Sequence, residues 1–218
     1  MSTPTQALAT LSAPDSPTAE AFRALRANIK YAVGDAPPRV ILLADTGSGA
    51  ARPAVAANLA IALALAGDPT ILIDADLRQP GLHRLFDVPG DAGVSTFLRA
   101  GGDEPPIVPT GVPGLRLLPA GTVPPNPAEL LASDRFRALL AWARGAATFV
   151  IIDAPPVTAV SDALAIAASA DGTLLIVRAG HTRRPAAQRA KEGLERVGAR
   201  ILGVVLTDTQ PERGEYRY

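Results

Sequence analysis

Three aspartates stand at the ends of apolar runs that are typical of buried β-strands. Asp74 and Asp76 end the run TILIDAD, and Asp153 ends the run TFVIID. Side chains alternate along an extended chain, so Asp74 and Asp76 point to the same side of it. Parallel sheets bind ligands at the carboxyl ends of their strands. The three carboxylates are therefore candidates to hold Mg²⁺, which takes only one or two protein oxygens directly, and to accept a proton from an attacking hydroxyl.

A loop of small residues offers a phosphate site beside these carboxylates. The segment LADTGSGAARPAVAANLA (43–60) joins the strand-like run RVILLA to an apolar helix-like run. A strand, a small-residue loop and a helix N-terminus are the usual setting of a phosphate-binding loop, because backbone N–H groups point at the anion there. The sequence has Gly47 and Gly49 in this loop, but not the lysine and the hydroxyl residue that such loops use.

Strand-like and helix-like segments alternate along the chain. The apolar runs cover 39–44, 70–76, 115–121, 148–155, 172–180 and 200–208. Helical patterns cover 53–66, 134–144, 161–169 and 185–197, and another begins near Ser16. Continuous apolar runs indicate strands that are covered on both faces. The alternation predicts an α/β fold with a mostly parallel central sheet flanked by helices on both faces.

The same pattern suggests one folded domain with two short ends. We expect a flexible N-terminal lead at 1–15, the α/β domain at 16–208, and a mobile C-terminal tail at 209–218. The tail contains two of the three tyrosines within a polar segment that bears proline and glycine, so it should be accessible.

Composition narrows the classes of function. The chain has 218 residues, with 48% hydrophobic and 19% charged residues, which is typical of a globular protein. Acidic and basic residues balance at 21 each, so no overall field recruits nucleic acid. The absence of cysteine excludes disulfides and a thiol nucleophile, and it is compatible with a reducing cytoplasm. The longest apolar stretch is too short for a membrane span. We expect a cytoplasmic protein that reaches the inner face of the membrane only through a partner.

Several segments resemble one protein family, and they occur in that family's order. ILIDADLRQPGLHRLF and VIIDAPPVTAVSDA are similar to the second and third aspartate motifs of bacterial tyrosine autokinases of the capsular exopolysaccharide type. AGTVPPNPAELLASDRF is similar to a proline-rich segment between them, EAFRALR to the family's E-x-x-R-x-x-R helix, and RGEYRY to a shortened tyrosine cluster. The resemblance extends from about residue 16 to the end.

The resemblance implies a P-loop NTPase-like fold and a kinase reaction. Members of the family use Mg-ATP to phosphorylate tyrosines on neighbouring copies. Carried over by position, Asp74, Asp76 and Asp153 would organise Mg²⁺ and the attacking tyrosine. Arg78 would support these aspartates.

The resemblance also implies an assembly and a partner. Glu20, Arg23 and Arg26 would lie at the subunit contact of a ring, and Tyr216 and Tyr218 would accept phosphate. The implied partners are other copies of the chain or an active relative, and a membrane protein that controls the chain length or export of a surface polysaccharide.

The loop is where the sequence departs from the family. The family's G-E-G-K-S-T aligns with GAARPA, of which only Gly49 matches. Ala51 replaces a glycine that permits positive φ and close approach to phosphate. Arg52 exchanges a compact ammonium for a planar fork. Pro53 removes a hydroxyl and a backbone N–H, and Ala54 removes a second hydroxyl.

Four hypotheses follow. The first is a pseudokinase or regulatory subunit without a working nucleotide site. The second is a weak kinase in which Gly47, Gly49, Arg52 and Ala54 contact nucleotide and the aspartates hold Mg²⁺, with ATP and Mg²⁺ as cofactors. The third is a partition-type ATPase, although such proteins carry a second lysine near the loop start, where this chain has Asp45. The fourth is a scaffold that binds no nucleotide.

Overall fold

A seven-stranded sheet forms the centre of the protein. The computed structural model describes residues 8–31, 37–47 and 51–209. Along the sheet the strands follow the order β3-β4-β2-β5-β1-β6-β7. Their bounds are β1 Val40–Asp45, β2 Thr70–Asp74, β3 Val108–Pro109, β4 Leu115–Leu118, β5 Phe149–Asp153, β6 Gly172–Arg178 and β7 Ile201–Thr207. All neighbouring strands are parallel except β3 and β4. The predicted fold class is confirmed.

Helices connect the strands and cover both faces of the sheet. In the described residues they are α1 Ala9–Ser12, α2 Pro17–Lys30, α3 Ala51–Ala64, α4 Leu82–Leu85, α5 Val94–Ala100, α6 Pro127–Leu131, α7 Asp134–Ala146, α8 Asp162–Ala167 and α9 Arg184–Arg196. None of these described helices is long and apolar enough to cross a membrane.

The three central strands, β2, β5 and β1, are buried on both faces because their sequences are apolar at nearly every position. On one face their side chains pack against helices α5 to α9, with Phe136 of α7 fully buried there. On the other face they pack mainly against α3, which contributes Leu59 and Leu63. Full burial of such strands is the outcome that their continuous apolar runs predict.

Strand order brings the sequence motifs together at one edge. Strand β5 lies between β2 and β1, and Asp153 is level with Asp74 on one side and with Leu43 on the other. Because all three strands run in the same direction, the loop after β1 opens beside both aspartate motifs. This edge of the sheet is the candidate site.

Two local features differ from expectation. Part of the predicted flexible lead forms helix α1, where Thr10 N donates to Asn58 Oδ1 of α3 at 2.9 Å and Leu8 is buried. The short antiparallel strand β3 was not predicted. Both are short segments whose conformation depends on contacts with distant parts of the chain. By contrast, the predicted start of α2 is confirmed, because Ser16 Oγ accepts a hydrogen bond from Ala19 N at 3.2 Å.

Candidate active site

Arg52 occupies the centre of the strand-end site. It lies in the first turn of α3, and only 5% of it is exposed. Its Nε donates to Asp153 Oδ1 at 2.5 Å, and its Nη2 donates to Asp76 Oδ2 at 2.6 Å. Pro53 follows in the same turn, where proline is readily accommodated because no intrahelical N–H bond is lost. The loop therefore keeps its helix but directs a guanidinium onto the carboxylates.

Asp45 completes the surroundings of the guanidinium. It is the last residue of β1, and its Oδ2 lies 3.5 Å from Arg52 Nη1. Its other oxygen, Oδ1, accepts a hydrogen bond from Gly47 N at 2.8 Å. The sequence analysis does not name Asp45 as a site residue. Asp45 could have been predicted, because it ends an apolar strand-like run in the same way as the aspartates of the other two motifs.

The two neighbouring aspartates of the second motif have different partners. Asp74 Oδ2 accepts from Gly81 N and Leu82 N, each at 3.0 Å, so this carboxylate anchors the start of α4. Asp76 lies beyond the end of β2, and its Oδ1 accepts from Gln79 N at 3.0 Å. Only Asp76 of this pair reaches the guanidinium.

Burial dominates the protonation of the strand-end carboxyls. It raises the pKa of Asp153 to about 7, while Arg52 acts to lower it and Asp74 adds to the rise. Burial also raises the pKa of Asp74 to about 6, against the backbone N–H groups of Leu82 and Gly81. For Arg52 the balance is reversed. Burial lowers its pKa, but the carboxylate of Asp153 raises it, and those of Asp45 and Asp76 add to the rise, so that the pKa lies above the ordinary value. The guanidinium thus stays charged.

Most carboxylate oxygens of the three predicted Mg²⁺ ligands already accept hydrogen bonds from the protein itself. Asp153 and Asp76 each give an oxygen to the guanidinium, and both oxygens of Asp74 accept backbone N–H groups. Asp153 Oδ2 is buried and lacks a hydrogen-bond partner in the described residues, so one carboxylate oxygen remains. Across residues 8–31, 37–47 and 51–209, no group of three acidic or histidine side chains is arranged to hold a metal ion. A cation that bound Asp153 Oδ1 or Asp76 Oδ2 would compete with Arg52 for that oxygen.

Arg78 binds a carboxylate that the sequence did not single out. Its Nε and Nη2 donate to the two oxygens of Asp162 at 2.9 and 3.0 Å. Asp162 is fully buried at the start of α8. Towards the predicted aspartates, Arg78 contributes a long backbone contact, from its N to Asp76 Oδ1 at 3.3 Å. The pair therefore ties the second aspartate motif to the far end of the third, at the start of α8.

Two other positions predicted to contact nucleotide, Gly47 and Ala54, lie in the described part of the chain. Gly47 has φ +81°, a conformation that favours glycine. Ala54 lies in α3, where its carbonyl oxygen accepts from Asn58 Nδ2 at 2.8 Å. Gly49, also proposed to contact nucleotide, lies outside the described residues.

The residues predicted for a subunit contact lie on α2. Arg23 Nε donates to Glu20 Oε2 at 2.6 Å, and Arg23 Nη1 donates to the carbonyl oxygen of Pro14 at 2.9 Å. Arg26 turns inward instead, and its Nη1 donates to the carbonyl oxygen of Ala62 at 3.2 Å. Glu20 and Arg23 thus form a surface pair, while Arg26 helps to hold α2 against α3.

The predicted phosphoacceptors, Tyr216 and Tyr218, lie outside the described residues, which end at Thr209. Tyr31, at the end of α2, is 82% exposed. The sequence did not suggest a role for it.

Comparison with known proteins finds kinases along nearly the whole chain. The tyrosine-protein kinase YwqD of Bacillus subtilis is 34% identical over 207 residues, which cover 94% of this chain and 87% of YwqD. The kinase domain of the Escherichia coli tyrosine kinase ETK superposes with a TM-score of 0.88 at 33% identity, covering 97% of this chain and 84% of that domain. The chimerical protein CapA2B2 superposes with a TM-score of 0.87 at 35% identity, covering 92% and 89%.

More distant structures share the fold alone. The cell-division ATPase MinD of Pyrococcus furiosus superposes with a TM-score of 0.64 at 24% identity, covering 78% of this chain and 71% of MinD. No protein-family model matches the sequence. The similarity to kinases nevertheless extends over most of both chains. The chain belongs to the family of bacterial tyrosine-protein kinases.

Proposed function

We propose that this protein is a cytoplasmic member of the tyrosine-kinase system for capsular or exopolysaccharide export, with ATP-dependent phosphotransfer impaired. The observation that carries the proposal is the position of Arg52, which donates to Asp153 at 2.5 Å and to Asp76 at 2.6 Å. The chain's own cation thus binds two of the three carboxylates that the family resemblance assigns to Mg²⁺.

The chemistry lost from the loop supports the same proposal. Ala54 and Pro53 have no hydroxyl, and Pro53 has no backbone N–H to offer a phosphate. A hydrogen bond to a charged group contributes roughly 1.5–3 kcal/mol, so losing two or three weakens binding by about 3–9 kcal/mol. A micromolar site has a binding free energy of about 8 kcal/mol. The expected affinity for Mg-ATP therefore lies between weak and none.

In this proposal the protein acts as a regulatory subunit. It would associate with further copies or with an active relative, and with a membrane co-polymerase that brings it to the inner face of the membrane. The family resemblance supports such a partner, and the likeness to a solved chimera, CapA2B2, is compatible with it. The tail tyrosines would then be substrates of the active relative.

Calorimetric titration with Mg-ATP and Mg-ADP tests the proposal. The natural chain is compared with a variant in which the loop is restored by Ala51→Gly, Arg52→Lys, Pro53→Ser and Ala54→Thr. We expect no heat of binding from the natural chain at ligand concentrations that saturate a micromolar site. Micromolar binding by the natural chain would overturn the proposal and favour the weak kinase that uses Arg52.

A matched control distinguishes the effect of the loop residues on nucleotide binding from the general effect of a substitution in α3. Asn58→Ala changes α3 one turn further on, where it removes the hydrogen bonds to Ala54 O and from Thr10 N. It changes no side chain at the four substituted loop positions, so its titration should resemble that of the natural chain. Circular dichroism of every variant establishes that each one is folded.

A further inference from the structure

Asp45 contacts both kinds of group that a phosphate would need in this loop, namely a backbone N–H and a positively charged side chain. Its Oδ1 accepts the Gly47 N–H at 2.8 Å, and its Oδ2 lies 3.5 Å from Arg52 Nη1. A phosphate-binding loop works by offering backbone N–H groups and a positive side chain to the anion. Here one such N–H and the only cation of the loop already face a carboxylate of the chain itself.

The backbone at Asp45 and at the following residue, Thr46, is held in place. Val157 N donates to the carbonyl oxygen of Asp45 at 3.0 Å, and Thr158 Oγ1 donates to the carbonyl oxygen of Thr46 at 3.1 Å. Both donors belong to the segment between β5 and α8. Asp45 is only 5% exposed, so its carboxyl group has little room to turn towards solvent. Burial raises the pKa of Asp45, while Arg52 and the Gly47 N–H act to lower it and so favour the charged form. The carboxyl group is therefore fixed in position beside its charged partner.

We propose that Asp45 is a specificity-determining residue that acts as an internal anion and excludes phosphate-bearing ligands from the loop. The inference rests on the proposed function, because it explains why the nucleotide site is impaired. Asp45 is distinct from the substituted loop positions 51–54, because it lies before them at the end of β1 and would repel phosphate through its negative charge. A phosphate that contacted Gly47 N or Arg52 would lie close to the Asp45 carboxylate, and two negative charges at such a distance in a buried site repel strongly.

The proposal predicts that restoring the loop sequence alone leaves binding weak. The decisive comparison is the restored loop variant with Asp45 against the same variant carrying Asp45→Asn, titrated with Mg-ADP. We expect the dissociation constant to fall at least tenfold on Asp45→Asn. Asparagine has nearly the same shape and keeps an oxygen to accept the Gly47 N–H, so charge is the main difference.

Two controls make the readout specific for phosphate repulsion. Adenosine carries no phosphate, so Asp45→Asn should change its binding less than twofold. Asp68→Asn removes the same charge before β2, at the opposite edge of the sheet, where Asp68 pairs with Lys30. In the restored loop this control should leave the dissociation constant for Mg-ADP unchanged. A merely structural role of Asp45 would alter adenosine and Mg-ADP binding together.

Each outcome decides the proposal. Equal dissociation constants for the restored variants with and without Asp45→Asn would overturn it, and so would a failure of both to bind. If Asp45→Asn does not fold, Asp45→Ser takes its place, because a serine hydroxyl also accepts the Gly47 N–H. Binding of Mg-ADP by the natural chain would overturn the proposed function, whereas the ratio between the restored variants decides the role of Asp45.

Discussion

Arg52 and Asp153 are separated by 101 positions in the sequence, yet their side chains form a buried hydrogen bond of 2.5 Å. Only 6% of the Arg52 side chain and 1% of the Asp153 side chain are exposed. A buried pair of this kind contributes little net stability, but removing one partner leaves an uncompensated charge. The contact therefore links the phosphate-loop position to the third aspartate motif both structurally and electrostatically.

Replacing Arg52 should destabilise the fold. Arg52→Met keeps most of the side-chain volume but leaves three carboxylates without their counter-charge, so we expect a loss of about 3–5 kcal/mol at pH 8. Urea unfolding measures the loss. Arg137→Met is the matched control: Arg137 pairs with Asp134 on the exposed surface of α7, and its loss should cost at most about 1 kcal/mol. Equal effects of the two substitutions would contradict the central role of Arg52.

The free energy of unfolding should fall as the pH rises from about 4 to about 7. Burial raises the pKa of Asp74 to about 6 and that of Asp153 to about 7. The folded state therefore keeps protons that the unfolded state releases above about pH 4. Each carboxyl contributes a slope of at most about 1.4 kcal/mol per pH unit, and the slope vanishes above the folded pKa.

Urea unfolding at several pH values measures this slope. Asp153→Asn should reduce the fall in the free energy of unfolding between pH 6 and pH 7, because the variant has no carboxyl group at this position to titrate. Arg52→Met should extend the fall above pH 7, since Arg52 acts to lower the pKa of Asp153. If stability changes between pH 6 and pH 7 by the same amount in Asp153→Asn and in the natural chain, the raised pKa of Asp153 is contradicted.

The ion pair between Arg78 and Asp162 should couple two distant segments. Arg78→Gln leaves the fully buried Asp162 without its two charged donors, so we expect a loss of about 2–3 kcal/mol. A double-mutant cycle with Asp162→Asn isolates the interaction, and the double variant should lose less than the sum of the single losses. Arg99→Gln, on the exposed surface of α5, is the control. Additive losses would mean that the two side chains act independently.

Association through α2 should depend on its surface pair. The double variant Glu20→Ala, Arg23→Ala should reduce the oligomer mass seen by sedimentation velocity. Its folding stability should change by less than about 1 kcal/mol, because exposed ion pairs contribute little. Arg26 is left in place, since it donates to the Ala62 carbonyl oxygen and its loss would disturb the packing of α2. An unchanged mass distribution would count against a contact at this surface.

The tail tyrosines should accept phosphate from an active kinase of the family. Incubation with Mg-ATP and such a kinase, followed by peptide mass spectrometry, should locate phosphate at Tyr216 and Tyr218. Tyr216→Phe combined with Tyr218→Phe should abolish the incorporation. Phosphate on the exposed Tyr31 alone would contradict the assignment of the tail as the acceptor.

The sequence alone was sufficient for the architecture and for the meeting of the aspartate motifs at one edge of the sheet. Continuous apolar runs predicted buried parallel strands, and the aspartates at the strand ends predicted which side chains would lie close together. Both inferences depend on local periodicity and on the direction of the strands, which neighbouring residues determine. The loss of the lysine and hydroxyl groups from the loop was equally visible, because it concerns residue types.

Tertiary structure decided how the charged side chains pair. Asp74 and Asp76 are two residues apart, yet one anchors α4 and the other binds Arg52, because β2 ends at Asp74 and the alternation of an extended strand stops there. Arg52 has a long, flexible side chain, and its direction depends on carboxylates that other strands bring to it. The partnership with Asp45 likewise arises only when β1 and α3 are folded together. The pairing of Arg52 with these carboxylates therefore depends on electrostatic contacts between residues distant in the sequence, and not on a local sequence pattern.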